Sequence, residues 1–147
     1  MATETYEDQG VRLDYPSDWV VEVTEDGPET AIDIQHPEGL AFVIVRIDET
    51  RPDPSELADN ALAAMRAEYP DLDAVPVIET LREHCATGYD VDFFSLDIAN
   101  GARIRAFRSS RRTVVIFGQW SDLGGEHSVD MVGGVFRSIE EVEEFEA

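Results

Sequence analysis

The sequence predicts an α+β fold, in which an antiparallel β-sheet of six to eight strands is flanked by two main helices. Three observations support this class. Strand-like patterns are numerous, only two segments carry apolar residues at helical spacing, and the connections are mostly short. Short connections suit antiparallel neighbours, whereas parallel strands need long crossovers. A doubly wound parallel sheet is therefore not expected.

The stretch Gly10–Trp19 is the most informative local pattern. Apolar and polar residues alternate over 11–15, as in a strand with one buried face. Pro16 fixes the backbone of a tight turn over 15–18. A return strand then covers 19–23, and the two strands are expected to form a hairpin.

The next strands differ in their exposure. Residues 30–36 alternate between apolar and polar side chains and predict a half-buried strand. Residues 40–45 form a continuous apolar run, which is typical of a central strand covered on both faces.

The first helix has clear start and stop signals. Asp53 is a capping residue, Pro54 fits the first helical position, and Glu56 completes a capping box. Pro70 ends the helix. One apolar face is predicted to contain Leu57, Ala61, Leu62, Met65 and Tyr69.

Two long strands over 75–83 and 86–98 come next, and Asn100–Gly101 is predicted to turn the chain into a third. A two-residue loop would place Ile98 opposite Arg103 and mix cations into an apolar face. A three-residue loop over 99–101, with Gly101 in the left-handed region, keeps the faces separate. It predicts the pairs Phe94–Ala106, Leu96–Ile104, Ile98–Ala102, Asp97–Arg103 and Ser95–Arg105.

A further central strand is predicted over 113–120, and the last helix near 124–126. The helix has an inward stripe of Val129, Val132, Phe136 and Ile139. Gly133–Gly134 within it predicts close packing on the sheet or a local break, because glycine costs about 1 kcal/mol relative to alanine.

The chain of 147 residues is long enough for one domain. We expect a flexible acidic N-terminus over 1–8, a single domain over 9–139 and a frayed acidic tail over 140–147. No run approaches a membrane span of about 18 apolar residues, and the acidic start is unlike a signal peptide. A cytoplasmic protein without membrane contact is expected.

The single Cys85 excludes an internal disulfide and a cysteine metal cluster, and is predicted to be half-buried.

The charge is extreme. The chain has 15 Asp, 17 Glu, 11 Arg and no Lys, for a net charge of −21. Self-repulsion of this size destabilises a compact domain unless salt screens it. Adaptation to molar salt is the favoured explanation, because the acids are spread along the whole chain. The alternative is an acidic protein that recruits a basic partner. Nucleic acid would be repelled.

The order of elements resembles the PsbP-like superfamily, which includes an extrinsic photosystem subunit and a transport factor that binds the GTPase Ran. The resemblance rests on Leu13–Trp19, the helix over 53–69 and the ending Phe136–Ile139. This chain has Asp18 where the family often has Gly, and Ile139 where it often has Phe. Over 9–139 the resemblance implies an α/β/α sandwich that binds proteins rather than catalysing a reaction. It implies neither the photosynthetic role nor the Ran contacts.

One segment of this acidic chain is basic. Five of the chain's eleven cations lie within ten residues that contain no acid. They are Arg103, Arg105, Arg108, Arg111 and Arg112. Guanidinium groups recognise carboxylate or phosphate in bidentate geometry, so this hairpin is a candidate contact for an acidic protein. Internal neutralisation by Asp90, Asp92 and Asp97 is the alternative. Arg108, Arg111 and Arg112 are the candidate partner-binding residues, and a functional role requires them to be exposed and free of internal carboxylates.

Other candidates have simpler structural explanations. The isolated His36, His84 and His127 fit surface positions better than a metal site. Asp90 and Asp92 share a strand face, which suits acid–base chemistry but also pairing with arginine. An aromatic set could line a pocket or fill the core. It comprises Trp19, Phe93, Phe94, Phe107 and Trp120.

No catalytic residue, metal or cofactor is predicted, because the chain contains no phosphate loop, nucleophile elbow or zinc-helix motif. The favoured function is a non-catalytic accessory domain that acts through a protein partner in a salt-adapted organism. The alternative is a small-ligand carrier or an enzyme with a pocket between the sheet and a helix. The oligomeric state is left open.

Overall fold

The computed structural model describes residues 2–142 and has the predicted α+β architecture. Its strands are β1 (Thr3–Asp8), β2 (Val11–Pro16), β3 (Val20–Asp26), β4 (Glu29–Gln35), β5 (Ala41–Asp48), β6 (Asp73–Leu81), β7 (His84–Ser95), β8 (Ile98–Arg108), β9 (Thr113–Ser121) and β10 (Glu140–Glu141). The two α-helices are α1 (Pro54–Glu68) and α2 (Gly125–Ser138), and a 3₁₀ turn (Asp122–Gly124) precedes α2.

The main sheet has seven antiparallel strands in the order β3-β4-β5-β9-β8-β7-β6. This confirms the predicted size and the meander from β6 to β9. β5 and β9 are central, as their apolar runs indicate. A second, three-stranded sheet has the order β1-β2-β10.

The predicted first hairpin is wrong, although both of its strands exist. β2 pairs with β1 and β10 in the small sheet, whereas β3 pairs with β4 at the edge of the main sheet. The turn after Pro16 closes with a 3.0 Å hydrogen bond from the Trp19 amide to the Pro16 carbonyl. It therefore carries the chain between sheets, and Trp19 is buried in a core that contains residues of both sheets.

The predicted register between β7 and β8 is also wrong. The turn lies at Leu96–Asp97, both in the left-handed region, and Ser95 pairs directly with Ile98. Gly101 is not among the glycines with positive φ. A Cβ at Gly101 would lie 2.5 Å from the Trp120 ring, so this glycine allows an aromatic side chain to pack on the strand. The usual turn preference of Asn-Gly is overridden by that packing.

Each face of the main sheet has its own core. α1 packs mainly on β7, β8 and β9, with Leu62 and Met65 buried against Ile104. On the opposite face, α2 packs on β5, β9 and β2, with Val132 and Phe136 buried, and Val11 and Leu13 of β2 belong to the same core.

Both helices begin as the sequence indicates. The Asp53 carboxylate accepts a 2.9 Å hydrogen bond from the Ser55 amide at the start of α1. α2 is continuous through Gly133–Gly134. There is therefore no break, and Gly133 is buried: a Cβ there would lie 3.0 Å from an Arg137 nitrogen and 3.6 Å from an Arg103 nitrogen.

Several boundary predictions need correction. Residues 3–8 form β1 rather than a flexible segment, because β1 pairs with β2 along its whole length. Glu140–Glu141 form β10, and residues 143–147 of the predicted tail lie outside the described residues. Cys85 is exposed rather than half-buried. Over residues 2–142, neither helix has the length and apolarity needed to cross a bilayer.

Candidate functional site

The β8–β9 turn, residues 109–112, holds the arginines that the sequence singles out. A 2.9 Å hydrogen bond from the Ser109 amide to the Arg112 carbonyl closes it. The Ser109 hydroxyl accepts from the amides of Arg111 and Arg112 at 3.1 and 3.2 Å and donates to the Glu141 carboxylate at 2.5 Å. Four residues are thereby held in one defined turn.

Arg112 is not a surface residue, which corrects its prediction as a partner contact. Only 3% of it is exposed. Its guanidinium donates to the Gly10 carbonyl at 3.0 Å and forms an ion pair with Glu141 at 3.4 Å. The role of Arg112 is to join the hairpin to the small sheet.

Arg105 is neutralised by carboxylates of the same domain, which is the alternative to a partner contact. It is 2% exposed and contacts Glu79 at 2.6 Å and Asp90 at 2.8 Å. These partners follow from the observed register, which differs from the predicted pairing with Ser95.

Arg103 is also held within the domain. Its Nε lies 3.6 Å from Asp90, and its guanidinium lies 5.8 Å from the centre of the Trp120 ring and 5.7 Å from that of Phe136. This geometry suits cation–π attraction. The predicted partner, Asp97, lies instead in the β7–β8 turn.

Arg108 and Arg111 are exposed. Within residues 2–142, neither forms an ion pair with a carboxylate. They therefore meet the structural condition set for a partner contact, and Arg112 does not.

The structure adds Arg51, which is distant in sequence. Its Nε donates to the Ser109 carbonyl at 2.9 Å, and its own carbonyl accepts from Arg108 at 3.4 Å. Arg51 has a φ of 58°, a strained left-handed backbone for a non-glycine residue. We call Arg51, Arg108 and Arg111 the arginine surface. In the sequence, Arg51 lies in a short connection after β5. No feature of the neighbouring sequence predicts that it contacts Arg108.

The histidines lie apart. His36 accepts a 3.0 Å hydrogen bond from the Glu38 amide, His84 stacks on Phe107 at 4.5 Å, and His127 is exposed. Among the described residues, no group of three His, Cys, Asp or Glu side chains is arranged to hold a metal ion.

Some of the acid and aromatic candidates support the fold and others are exposed. Asp90 pairs with Arg103 and Arg105, whereas Asp92 is exposed. Trp19, Phe93 and Phe107 are buried, which supports their interpretation as core. Phe94 is 75% exposed, so the sheet does not use it as core.

A groove of about 730 Å³ lies beside α1, on the part of the sheet formed by β3, β4, β5 and β9. Phe42 and Phe117 stack on its floor with ring centres 5.9 Å apart, next to Ile44. Leu57 and Met65 line the helix side. None of the aromatic residues proposed from the sequence lines this groove. The sequence feature that points to this groove is the continuous apolar run of β5, because that run has more apolar side chains than α1 can cover.

The segments that carry the PsbP-like resemblance meet in space. The Ser138 hydroxyl, at the end of α2, accepts from the Asp14 amide at 2.9 Å and donates to the Val135 carbonyl at 2.8 Å. Ile139 and Leu13 are buried in the same core. The strand motif and the helix ending are therefore two sides of one contact.

Comparison with solved structures shows the PsbP-like fold. Cyanobacterial PsbP from Synechocystis has a TM-score of 0.67 at 8% identity, and the match covers 95% of this chain and 92% of that protein. LpqN of Mycobacterium tuberculosis, which is involved in cell envelope biogenesis, has a TM-score of 0.60 at 12% identity, with 97% and 91% covered.

A protein of Bacteroides thetaiotaomicron has a TM-score of 0.61 at 12% identity. The match covers 98% of this chain, which spans about half of that protein. No family model and no curated protein matches the sequence. At these identities the likeness shows the fold, a PsbP-like α+β domain, and not a function.

Proposed function

We propose that this protein is a non-catalytic accessory domain that acts by binding a protein partner, and that the arginine surface contacts an acidic segment of that partner. The observation that carries the proposal is the state of Arg108 and Arg111. In a chain with 32 acidic residues, both guanidinium groups are exposed and without an ion pair in the described part of the chain.

The hydrogen bonds around the turn support this function. Arg51 and Arg108 are linked through backbone carbonyls rather than through carboxylates. Such links restrain the side chains and leave other guanidinium N–H groups available. A restrained fork loses less entropy when it binds a planar carboxylate, so it recognises an acidic segment better than a mobile one.

We further propose that this contact forms at high salt. The acidic, lysine-free composition supports a salt-rich environment, in which long-range repulsion between two acidic proteins is screened. A direct bidentate contact depends less on long-range fields than on geometry. The cytoplasmic location stays a prediction from the sequence.

Affinity capture from an extract of the source organism, at its own salt concentration, tests the proposal. The triple variant R51Q/R108Q/R111Q should lose the captured protein. The matched triple variant R46Q/R66Q/R137Q removes the same charge from exposed positions outside the surface that likewise have no ion pair in the described part of the chain, and it should retain the captured protein. Equal capture by both triple variants would overturn the assignment of the surface.

A second candidate function, carriage of a small ligand, is favoured by the groove beside α1. Its volume of about 730 Å³ and its aromatic floor are typical of small-molecule sites. The groove is built from α1, β3, β4, β5 and β9, whereas the arginine surface lies in the connections after β5 and β8. The two functions can therefore be tested separately.

A further inference from the structure

We propose that the groove beside α1 binds a small hydrophobic cation, in which an apolar chain or ring carries an ammonium group. This inference rests on the second candidate function, ligand carriage, and names its ligand class.

The apolar part of the ligand would lie on the floor formed by Phe42, Ile44 and Phe117. These residues are only partly buried, although they belong to the two central strands of the sheet. Opposite them, Ala61 and Ala64 of α1 present small side chains that leave room for the ligand. Covering such a surface releases water and is favourable at about 25 cal/mol per Å².

The charged part of the groove is strongly asymmetric. Four carboxylates line it, from Asp26, Glu29, Asp48 and Glu68, against the one guanidinium of Arg46. Three of them lie in a row across the sheet, because Glu29 pairs with Asp26 on one side and with Asp48 on the other. Like charges directly opposite each other destabilise a sheet, and a cation between them would relieve that repulsion.

The aromatic floor favours the same charge. The faces of phenylalanine rings attract ammonium and quaternary ammonium groups. Phe42 and Phe117 are stacked beside each other, so a flexible cation can reach the carboxylate row while its apolar part covers the rings. An anionic ligand would be repelled by the four carboxylates, and the guanidinium of Arg46 would be its one attractive charge in the groove.

Arg46 is the one cation that lines the groove. It is exposed, its direct neighbours across the strands are Ala31 and Val115, and within residues 2–142 it has no ion pair. If the ligand is a cation, Arg46 opposes binding and its removal strengthens binding. If the ligand is an anion, its removal abolishes binding.

The test uses three probes that share an octyl chain: octyltrimethylammonium, octan-1-ol and octanoate. Binding is measured by isothermal titration calorimetry in about 0.5 M KCl, where charges beyond a few Å are screened. We expect octyltrimethylammonium to bind tightest, octan-1-ol about fivefold more weakly and octanoate weakest. R46Q should bind the cation more tightly, whereas R66Q, which removes a charge outside the groove, should behave as the parent.

Two further variants separate the groove from the charge. A64W should weaken binding of all three probes by about tenfold or more, because its ring fills the groove, whereas A63W alters an exposed residue outside the lining and should not. D26N/E29Q should weaken only octyltrimethylammonium, by about fivefold, and E38Q/D71N should leave it unchanged.

The outcomes distinguish the two levels of the proposal. If the three probes bind equally and A64W removes them all, ligand carriage stands and the cation preference is wrong. If octanoate binds tightest and R46Q removes it, the ligand class is the opposite of that proposed. If no probe binds, or A64W has no effect on binding, both the ligand class and ligand carriage in this groove are wrong.

Discussion

The guanidinium of Arg112 donates a 3.0 Å hydrogen bond to the carbonyl of Gly10, 102 residues away in the sequence. Gly10 has a φ of 79°, and a Cβ there would lie 2.2 Å from an Arg112 nitrogen. Gly10 is therefore required twice, for its backbone conformation and for the space above it. The contact joins the small sheet to the hairpin that presents the arginine surface.

The substitution G10A should lower the free energy of unfolding by about 2–4 kcal/mol, the combined cost of a left-handed alanine and of overpacking against Arg112. G39A is a matched control, because Gly39 has a φ of 74° but nothing within 4 Å of its Cβ position. G39A should cost only the backbone part, about 1–2 kcal/mol. Equal urea midpoints for the two variants would show that the Arg112 contact imposes no steric limit.

Adjacent arginines should differ sharply in their contribution to stability. R112Q breaks a buried ion pair with Glu141 and should lower the free energy of unfolding by about 3 kcal/mol. R111Q alters an exposed side chain and should change it by no more than about 0.5 kcal/mol. Chemical denaturation of both variants measures the difference, and similar values would contradict the division between structural and available arginines.

Tyr89 should make stability sensitive to alkaline pH. Its hydroxyl donates a 2.6 Å hydrogen bond to Asp59, and that bond, followed by desolvation, raises the tyrosine pKa above its ordinary value of 10.0. The folded state then holds the phenolic proton more tightly than the unfolded state. Stability is unaffected below about pH 10 and falls as pH rises through the pKa of the folded state.

The variant Y89F should show a shallower loss of stability above about pH 10 than the parent. Some loss should remain, because the pKa values of Tyr6 and Tyr15 are also raised, chiefly by burial. Urea midpoints across this range provide the measurement. A parent and a variant with parallel pH profiles would exclude a role for the Tyr89–Asp59 hydrogen bond.

Salt should stabilise the domain, because a net charge of −21 repels itself at low ionic strength. The screening length falls from about 10 Å at 0.1 M salt to about 3 Å at 1 M. The urea midpoint should therefore rise between about 0.1 and 2 M KCl. A comparison with potassium sulfate separates screening from the stronger exclusion effect of that anion. A flat or falling midpoint in chloride would contradict adaptation to salt.

Local signals in the sequence were sufficient for most elements of the fold. The Asp53–Pro54 start of α1 and the central positions of β5 and β9 depend on neighbouring residues alone, and these predictions are confirmed. The expectation that β5 is covered on both faces is wrong, because Phe42 and Ile44 are only partly buried and line the groove. The predicted β7–β8 register is wrong because the observed register depends on the packing of Trp120 on Gly101, which is a contact between different strands. The prediction of a hairpin around Pro16 is wrong because the same turn can connect two sheets as well as two paired strands.

The candidate site was predictable only in part. The sequence identifies Arg108 and Arg111, because they are cations in an acidic chain. It does not separate them from Arg112, whose burial depends on Gly10 and Glu141 far away in the sequence. Arg51 joins the surface through hydrogen bonds that span 57 and 58 residues, and the groove depends on which strands α1 leaves uncovered.

The most direct measurement of the central claim is amide hydrogen exchange of the domain, free and bound to the partner recovered by affinity capture. We expect slower exchange on binding over residues 49–53 and 109–112, the segments that hold Arg51 and the turn between Arg108 and Arg112. Unchanged exchange in both segments, with protection confined to other parts of the chain, would contradict a partner contact at the arginine surface.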